Sequence, residues 1–156
     1  MQGDEPEHVR KWLEYSTGKS NWSKEVHDDI RKQNAIQLSS LMKHLSRKYS
    51  CSVFAFGDMN TTTAADVFKV YAENEFHLLI DLTSENDEKC SIHGNPIRGT
   101  DGRFHGKKTV DNYESSIDHI IGMGANFTVK QYRIVDDQDA LDATDHSPVY
   151  ADIDFA

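Results

Sequence analysis

The order of apolar and polar positions divides the chain into a polar start and a periodic remainder. Residues 1–22 carry no clean period; Trp12, Leu13 and Tyr15 suit a short helix or loop, and the segment is read as poorly defined. From Ser23 the pattern sharpens. Ile30, Leu38, Leu41, Met42 and Leu45 recur at helical spacing and predict a long amphipathic helix with this stripe against the core. Ser23 suits its N-cap, Glu25 and Asp28 its first turns, and Lys43, Arg47 and Lys48 its last. Ser52–Phe56 is apolar on both faces, as a central strand covered by helices should be. Thr63 is the expected cap of a second helix turning Ala64, Val67, Phe68 and Tyr71 inward, and Phe76–Asp81 reads as a second strand. Residues 83–113 are irregular and rich in Gly, Asn, Asp and Lys, a loop length that is uncommon unless it carries function. Three strand-like runs close the chain: Ser116–Ile121, Phe127–Val135 and Val149–Phe155. In the second, imperfect alternation through Phe127, Val129, Tyr132 and Ile134 predicts a bulge or frame change around Gln131. Residues 23–156 are therefore expected to form one α/β unit.

Composition narrows the classes. With 156 residues, 28% charged and 37% apolar, the chain fits one domain with a real core. A net charge of −9 argues against a non-specific nucleic-acid binder, which needs a basic footprint. Acidity leaves phosphoester chemistry open, because a bound divalent cation reverses the local charge. Cys51, at the mouth of the predicted buried strand, reads as a small hydrophobe, whereas Cys90 falls in a polar loop. Their spacing is neither a zinc motif nor a disulfide framework. No stretch approaches membrane-span length, and the start lacks a basic, then apolar, signal segment. As written the chain reads as cytoplasmic, an expectation that lapses if it is a fragment of a longer, secreted precursor.

Three polar clusters border the apolar runs: Gly57-Asp58-Met59-Asn60, Ser116-Ile117-Asp118-His119-Ile120 and Thr144-Asp145-His146-Ser147-Pro148-Val149. Such placement lets a sheet deliver carboxylates, an amide and an imidazole to one edge. Hydrolysis of a phosphoester needs phosphate charge offset, usually by Mg²⁺ or Mn²⁺ on oxygen ligands, a water aligned or deprotonated, and the leaving oxygen stabilised. Asp58, Asn60, Asp118, Asp145 and His146 supply that kit. Each cluster alone has a plain structural reading. Asp and Asn suit turns, Pro148 suits the start of an edge strand, and Asp118 suits a strand end bonded to backbone. Three clusters in order outweigh those readings together. The acidic run Asp136, Asp137, Asp139 and Asp142 reads as a solvated loop in preference to a cation site, and Lys107 and Lys108 as exposed loop lysines in preference to contacts for an anionic substrate. His27, His44, His77 and His93 read as surface or structural residues.

In their order, these clusters resemble the C-terminal signatures of the endonuclease/exonuclease/phosphatase (deoxyribonuclease-like) superfamily, and Phe104-His105-Gly106 is similar to a stretch in many bacterial members. The resemblance spans roughly residues 23 to 155. It implies an α/β (α+β) fold: half, or a truncated version, of a four-layer α/β/β/α sandwich. It implies a metal-dependent phosphoester hydrolase, a phosphodiesterase, nuclease or phosphatase, using Mg²⁺ or Mn²⁺. The roles implied are Asp58 for the attacking water, Asn60 for the phosphate, Asp145 as a metal ligand, and Asp118 orienting His146, which touches the scissile phosphate. His105 is an expected substrate contact; His119 occupies a variable place and is left out. No strand ending in Thr-His or Ser-His is present, Glu5, Glu7 and His8 do not replace the missing first-half residues, and the family's N-terminal metal glutamate has no counterpart. The alternative expectation is a non-catalytic fragment or interaction module. A half-sandwich would expose the apolar face meant for the other sheet, which points to a homo-oligomer or to a missing N-terminal half as partner. The phosphoester substrate itself is not fixed by the fold.

Overall fold

The long helix expected from the apolar spacing is present as α1 (Lys24–Tyr49), but a different line of residues faces inward. In the computed structural model, which describes residues 24–87, 89–109, 112–124 and 126–156, Ala35, Ser39 and Met42 are buried, four and three residues apart on one helix face. Leu38 and Leu45 are half-buried beside them, and Ile30 and Leu41 are exposed. Small residues at the centre let the helix approach its neighbours closely, so the bulky aliphatics flank the contact rather than make it. The expected segment 1–22 and the Ser23 cap lie outside the described residues.

Helix α2 (Asp66–Glu73) begins later than Thr63 predicts; its N-cap, Ala65, makes no side-chain capping bond, and Ala64 is exposed. Val67 and Tyr71 are its buried positions. Lys32 reaches Asp66 at the start of α2 (3.4 Å) and Lys43 donates to Asn74 just past its end (2.9 Å). The two helices therefore lie side by side, running the same way.

Beneath them lies an antiparallel sheet of β1 (Val53–Asp58), β5 (Asp118–Met123) and the two-residue β2 (His77–Leu78), in the order β1-β5-β2. The central strand of this sheet is β5, not β1 as its apolar run suggested. In the register, Val53 and Ala55 pair with Met123 and Ile121, and all four join the helix-side core with Met42, Val67, Tyr71 and Phe76. Alternate positions take the opposite face, where Phe54 pairs with Gly122, Phe56 with Ile120, and Asp58 with Asp118. The expected strand Phe76–Asp81 shortens to β2 and then tightens into a 3₁₀ turn, Leu79–Leu82. That turn contributes Leu79 and Ile80 to a second core with Val129, Tyr132 and Ile134, against Phe54, Ile120 and Phe127. Phe54 meets Phe127 edge-on at 4.9 Å between ring centroids. Strand β6 (Phe127–Ile134) pairs antiparallel with β7 (Val149–Phe155), and the register shifts between Val129 and Gln131, where the broken alternation predicted it.

The region 83–113 is less irregular than its composition implies. It contains a hairpin, β3 (Gly94–Arg98) and β4 (Phe104–Lys107), held against a short helix α3 (Gln138–Ala143) that the acidic run had hidden. Those aspartates are not a solvated loop. Asp137 caps α3 by accepting from the Ala140 amide (2.9 Å), Asp136 pairs with Lys89 (2.7 Å) and Lys108, and Asp142 accepts from the Gly106 amide (2.8 Å). The two cysteines exchange their expected places: Cys51 is exposed, and Cys90 is fully buried. Gly106 packs so tightly that an added Cβ would stand 1.7 Å from the Leu141 carbonyl oxygen. Gly106→Ala must therefore push the hairpin off α3, and urea denaturation is expected to show a loss of about 1–3 kcal/mol, the range for overpacked sites. No helix among the described residues is long and apolar enough to cross a membrane.

Candidate active site

Asp58 ends β1 and Asp118 begins β5, and the register sets them directly opposite each other on the sheet face away from the helices. Directly opposed like charges destabilise a strand pair, so this arrangement needs local compensation. Each carboxylate has it. Asp58 is wrapped by the turn that follows: Oδ1 accepts from the Asn60 amide (2.7 Å) and Oδ2 from the Asn60 side-chain Nδ2 (3.1 Å). Asn60 sits at φ +51°, a left-handed conformation that asparagine tolerates, and Gly57, at φ +137°, allows the bend just before Asp58. The Met59 amide, donating to the Ile117 carbonyl (2.8 Å), pins the turn to the start of β5.

On Asp118, Oδ2 accepts from Ser91 Oγ (2.8 Å) and from His146 Nδ1 (2.9 Å). His146 arrives on the turn before β7, where its amide donates to Thr144 Oγ1 (3.1 Å). The segment 91–93, with Ser91 and His93 buried, clamps that turn: the His93 amide donates to the Asp145 carbonyl and the Ser147 amide to the Ser91 carbonyl, both at 2.7 Å. His93 Nε2 also lies 3.1 Å from Ser147 Oγ. With Nδ1 bonded to Asp118, Nε2 has no hydrogen-bond partner among the described residues. The hydrogen bond to Asp118 raises the His146 pKa above the ordinary imidazole value; burial opposes this, and the charges of Asp118, Asp145 and Asp58 reinforce it. The arrangement favours an imidazolium with two N–H donors, one held by Asp118. An open cleft of about 240 Å³ adjoins these groups, lined by Phe56, Asp118, Ile120, His146, Pro148 and Val149. Phe56 in its wall is 80% exposed.

The sequence-predicted residues thus divide. Asp58, Asn60, Asp118 and His146 converge through register and hydrogen bonds, and Asp145 lies close enough for its charge to act on His146. His105 does not join them; it sits exposed on β4, 3.0 Å from Asp101, and does not line the cleft. His119 points the other way along β5. It is buried, with Nε2 donating to the Thr61 carbonyl (2.9 Å), Nδ1 facing the Tyr113 hydroxyl (2.9 Å), and Phe68 edge-on at 4.8 Å. Of the two readings given for His93, surface or structural, the structure gives the structural one: the residue is buried. Ser91 and Ser116, both fully buried behind Asp118, carried no sequence signal, because a serine in a polar loop looks the same whether buried or not.

Burial pushes the His119 imidazole below its ordinary pKa, against a smaller upward pull from the Thr61 carbonyl and Asp118. Unfolding returns the ring to about 6.5, so as pH falls the unfolded chain takes up the proton first. The stability tied to neutral His119 is present above that value and is lost as pH falls through the folded one. Thermal melts should show a midpoint that drops between pH 7 and pH 5, with a shallower drop in His119→Gln.

The implied divalent ion finds only part of a cage here. Among the described residues no group of three or more His, Cys, Asp or Glu side chains is placed to hold a metal. Asp58 is engaged by Asn60, and Asp118 by Ser91 and His146.

No protein-family model matches the sequence, and no curated protein matches it significantly. Solved structures do. A mannosyl-6-phosphatase of Bacteroides thetaiotaomicron superposes with a TM-score of 0.61 at 20% identity, covering 80% of this chain and 46% of that one. An endonuclease/exonuclease/phosphatase protein from Bacteroides vulgatus gives 0.62 at 18% identity, with 83% and 45% covered. A second such protein from B. thetaiotaomicron gives 0.62 at 20%, with 81% and 44%. The chain carries about half of the endonuclease/exonuclease/phosphatase fold. At these identities the likeness is one of fold, and the chain spans less than half the length of the structures it matches. Within this half-fold the mixed α/β architecture with antiparallel sheets agrees with what the three polar clusters imply.

Proposed function

We propose that the chain supplies the Asp58, Asn60, Asp118 and His146 part of a phosphoester hydrolase site. One observation carries this reading: two carboxylates opposed across β1 and β5, one of them holding an imidazole that lines an open cleft. Opposed aspartates are a poor way to join strands, and can flank a reacting phosphate once a bound cation offsets their charge. In this reading Asp58 accepts the proton of the attacking water, and Asn60 donates its amide to a phosphate oxygen. His146 donates Nε2–H to another oxygen, where negative charge grows in the transition state, and Asp118 holds the ring in the donating orientation. His105, remote from the cleft lining and paired with Asp101, has no part in the reading.

Magnesium or manganese is the cofactor proposed, with Asp145 contributing to its binding. Among the described residues no group of three or more His, Cys, Asp or Glu side chains surrounds it, so water and substrate oxygens would fill the rest of its shell. The second reading, a non-catalytic interaction module, draws on that incomplete shell and on the exposure of Phe56 beside the site. A second copy of the chain or a separate half-domain would cover that ring. Calorimetric titration with Mn²⁺ separates the two readings. Binding that is lost in Asp145→Ala supports the hydrolase; equal heats for both proteins support the module. The phosphate of a sugar is one substrate compatible with the site, given the phosphatase among the superposed structures.

A further inference from the structure

The Asp118–His146 pair does not hold its own geometry; both members hang on one buried residue from the region that looked like a loop. Ser91 is fully buried, and each of its polar atoms is committed. Its Oγ accepts from the Asp118 amide (3.1 Å) and the Ile117 amide (3.3 Å) and donates to Asp118 Oδ2 (2.8 Å). One hydroxyl thus ties the backbone and the carboxylate of the same aspartate, which fixes that side chain's torsion. Its amide donates to Ser116 Oγ (2.9 Å), and Ser116 in turn donates to the Lys89 carbonyl (3.2 Å). On the other side its carbonyl accepts from the Ser147 amide (2.7 Å), the residue next to His146.

We infer that Ser91 is the positioning residue of this site, setting where Asp118 and His146 stand relative to each other. The inference rests on the proposed hydrolase reading only for its catalytic consequence; the geometric part stands independently. A serine serving merely to satisfy two buried amides would need only its acceptor lone pairs. Here the hydroxyl proton goes to the oxygen that also receives His146, so removing it frees Asp118 Oδ2 to turn.

The test is a long-range ¹H–¹⁵N spectrum of histidine-labelled protein, wild type against Ser91→Ala and Ser91→Thr. In the wild type the His146 Nδ1–H is expected downfield and slow to exchange. In Ser91→Ala it should exchange at least about tenfold faster or vanish, and in Ser91→Thr, which keeps the hydroxyl, it should return. The His119 ring, bonded to Thr61 on the far face of β5, reports whether the fold survives and should not change. An unaltered His146 signal in Ser91→Ala, or its loss in a folded Ser91→Thr, would overturn the inference. If Ser91→Ala unfolds, Ser91→Cys takes its place, with a weakened His146 signal expected and an unaltered one overturning the inference. In hydrolysis, Ser91→Ala should lower kcat by about tenfold to a hundredfold with KM within about twofold, the pattern of a misplaced group. A wild type without activity whose spectra follow this pattern would sink the hydrolase reading and leave the positioning role standing.

Discussion

His146→Ala is expected to lower the kcat for phosphoester hydrolysis by roughly two to four orders of magnitude, the usual worth of a positioned acid–base or charge-stabilising group. The size follows from the position of the ring. Nδ1 is fixed by Asp118, the raised pKa favours the doubly protonated form, and the ring lines the cleft where, in the proposed reaction, phosphate oxygens would gather charge. Alanine removes the donor without opening the core, because His146 is only partly buried and its turn is held by main-chain bonds to Ser91 and His93. Stability should fall by about 1.5–3 kcal/mol, the net value of a hydrogen bond to a charged group. Steady-state kinetics with a melt on the same samples checks both halves. A variant that keeps most of its kcat would show that His146 does not meet the transition state.

The largest effect on the fold is expected at Ile121, where Ile121→Ala should cost about 2–5 kcal/mol by urea denaturation. Ile121 is fully buried on the central strand β5, in a cluster built from both helices, β1 and the entry to β2. Neighbours on so many elements cannot all collapse into the space the side chain leaves, which puts the cost toward the upper part of that range. The comparison with His146 is instructive because β5 carries Ile121 on one face and Asp118 on the other. Activity in Ile121→Ala should fall with the folded fraction, recovering at lower temperature, whereas His146→Ala should stay inactive while fully folded. A midpoint shift below the equivalent of about 1 kcal/mol would mean that the helix–sheet core is not where this half-fold draws its stability.

The sequence signals that proved reliable were those tied to period and order. The Val149–Phe155 strand, the broken alternation near Gln131, and the three clusters that bring Asp58, Asn60, Asp118 and His146 together were all legible, because side-chain parity follows directly from strand geometry. What failed was legible only in three dimensions. The inward face of α1 runs through Ala35 and Ser39, since close helix packing favours small residues over the leucines that dominate the pattern. Helix α3 was masked by aspartates, which usually mark loops but here cap the helix, bind Lys89 and hold Gly106. Burial of Ser91 goes with the bridge between Ile92 and His146 and the Ser147 amide bond to the Ser91 carbonyl, a contact between segments more than fifty residues apart that no local pattern encodes. His105 shows the converse: a motif-like neighbourhood placed it at the site, and the hairpin carries it instead to Asp101.

The proposed phosphoester-hydrolysing site is built from the carboxylates opposed across β1 and β5, with His146. The most direct measurement is hydrolysis of bis-p-nitrophenyl phosphate with Mg²⁺ or Mn²⁺, comparing the chain with Asp58→Ala. Metal-dependent turnover that Asp58→Ala abolishes, with the melt unchanged, is the predicted result. Equal rates in the two proteins, or no turnover by the folded, metal-saturated wild type, would contradict it.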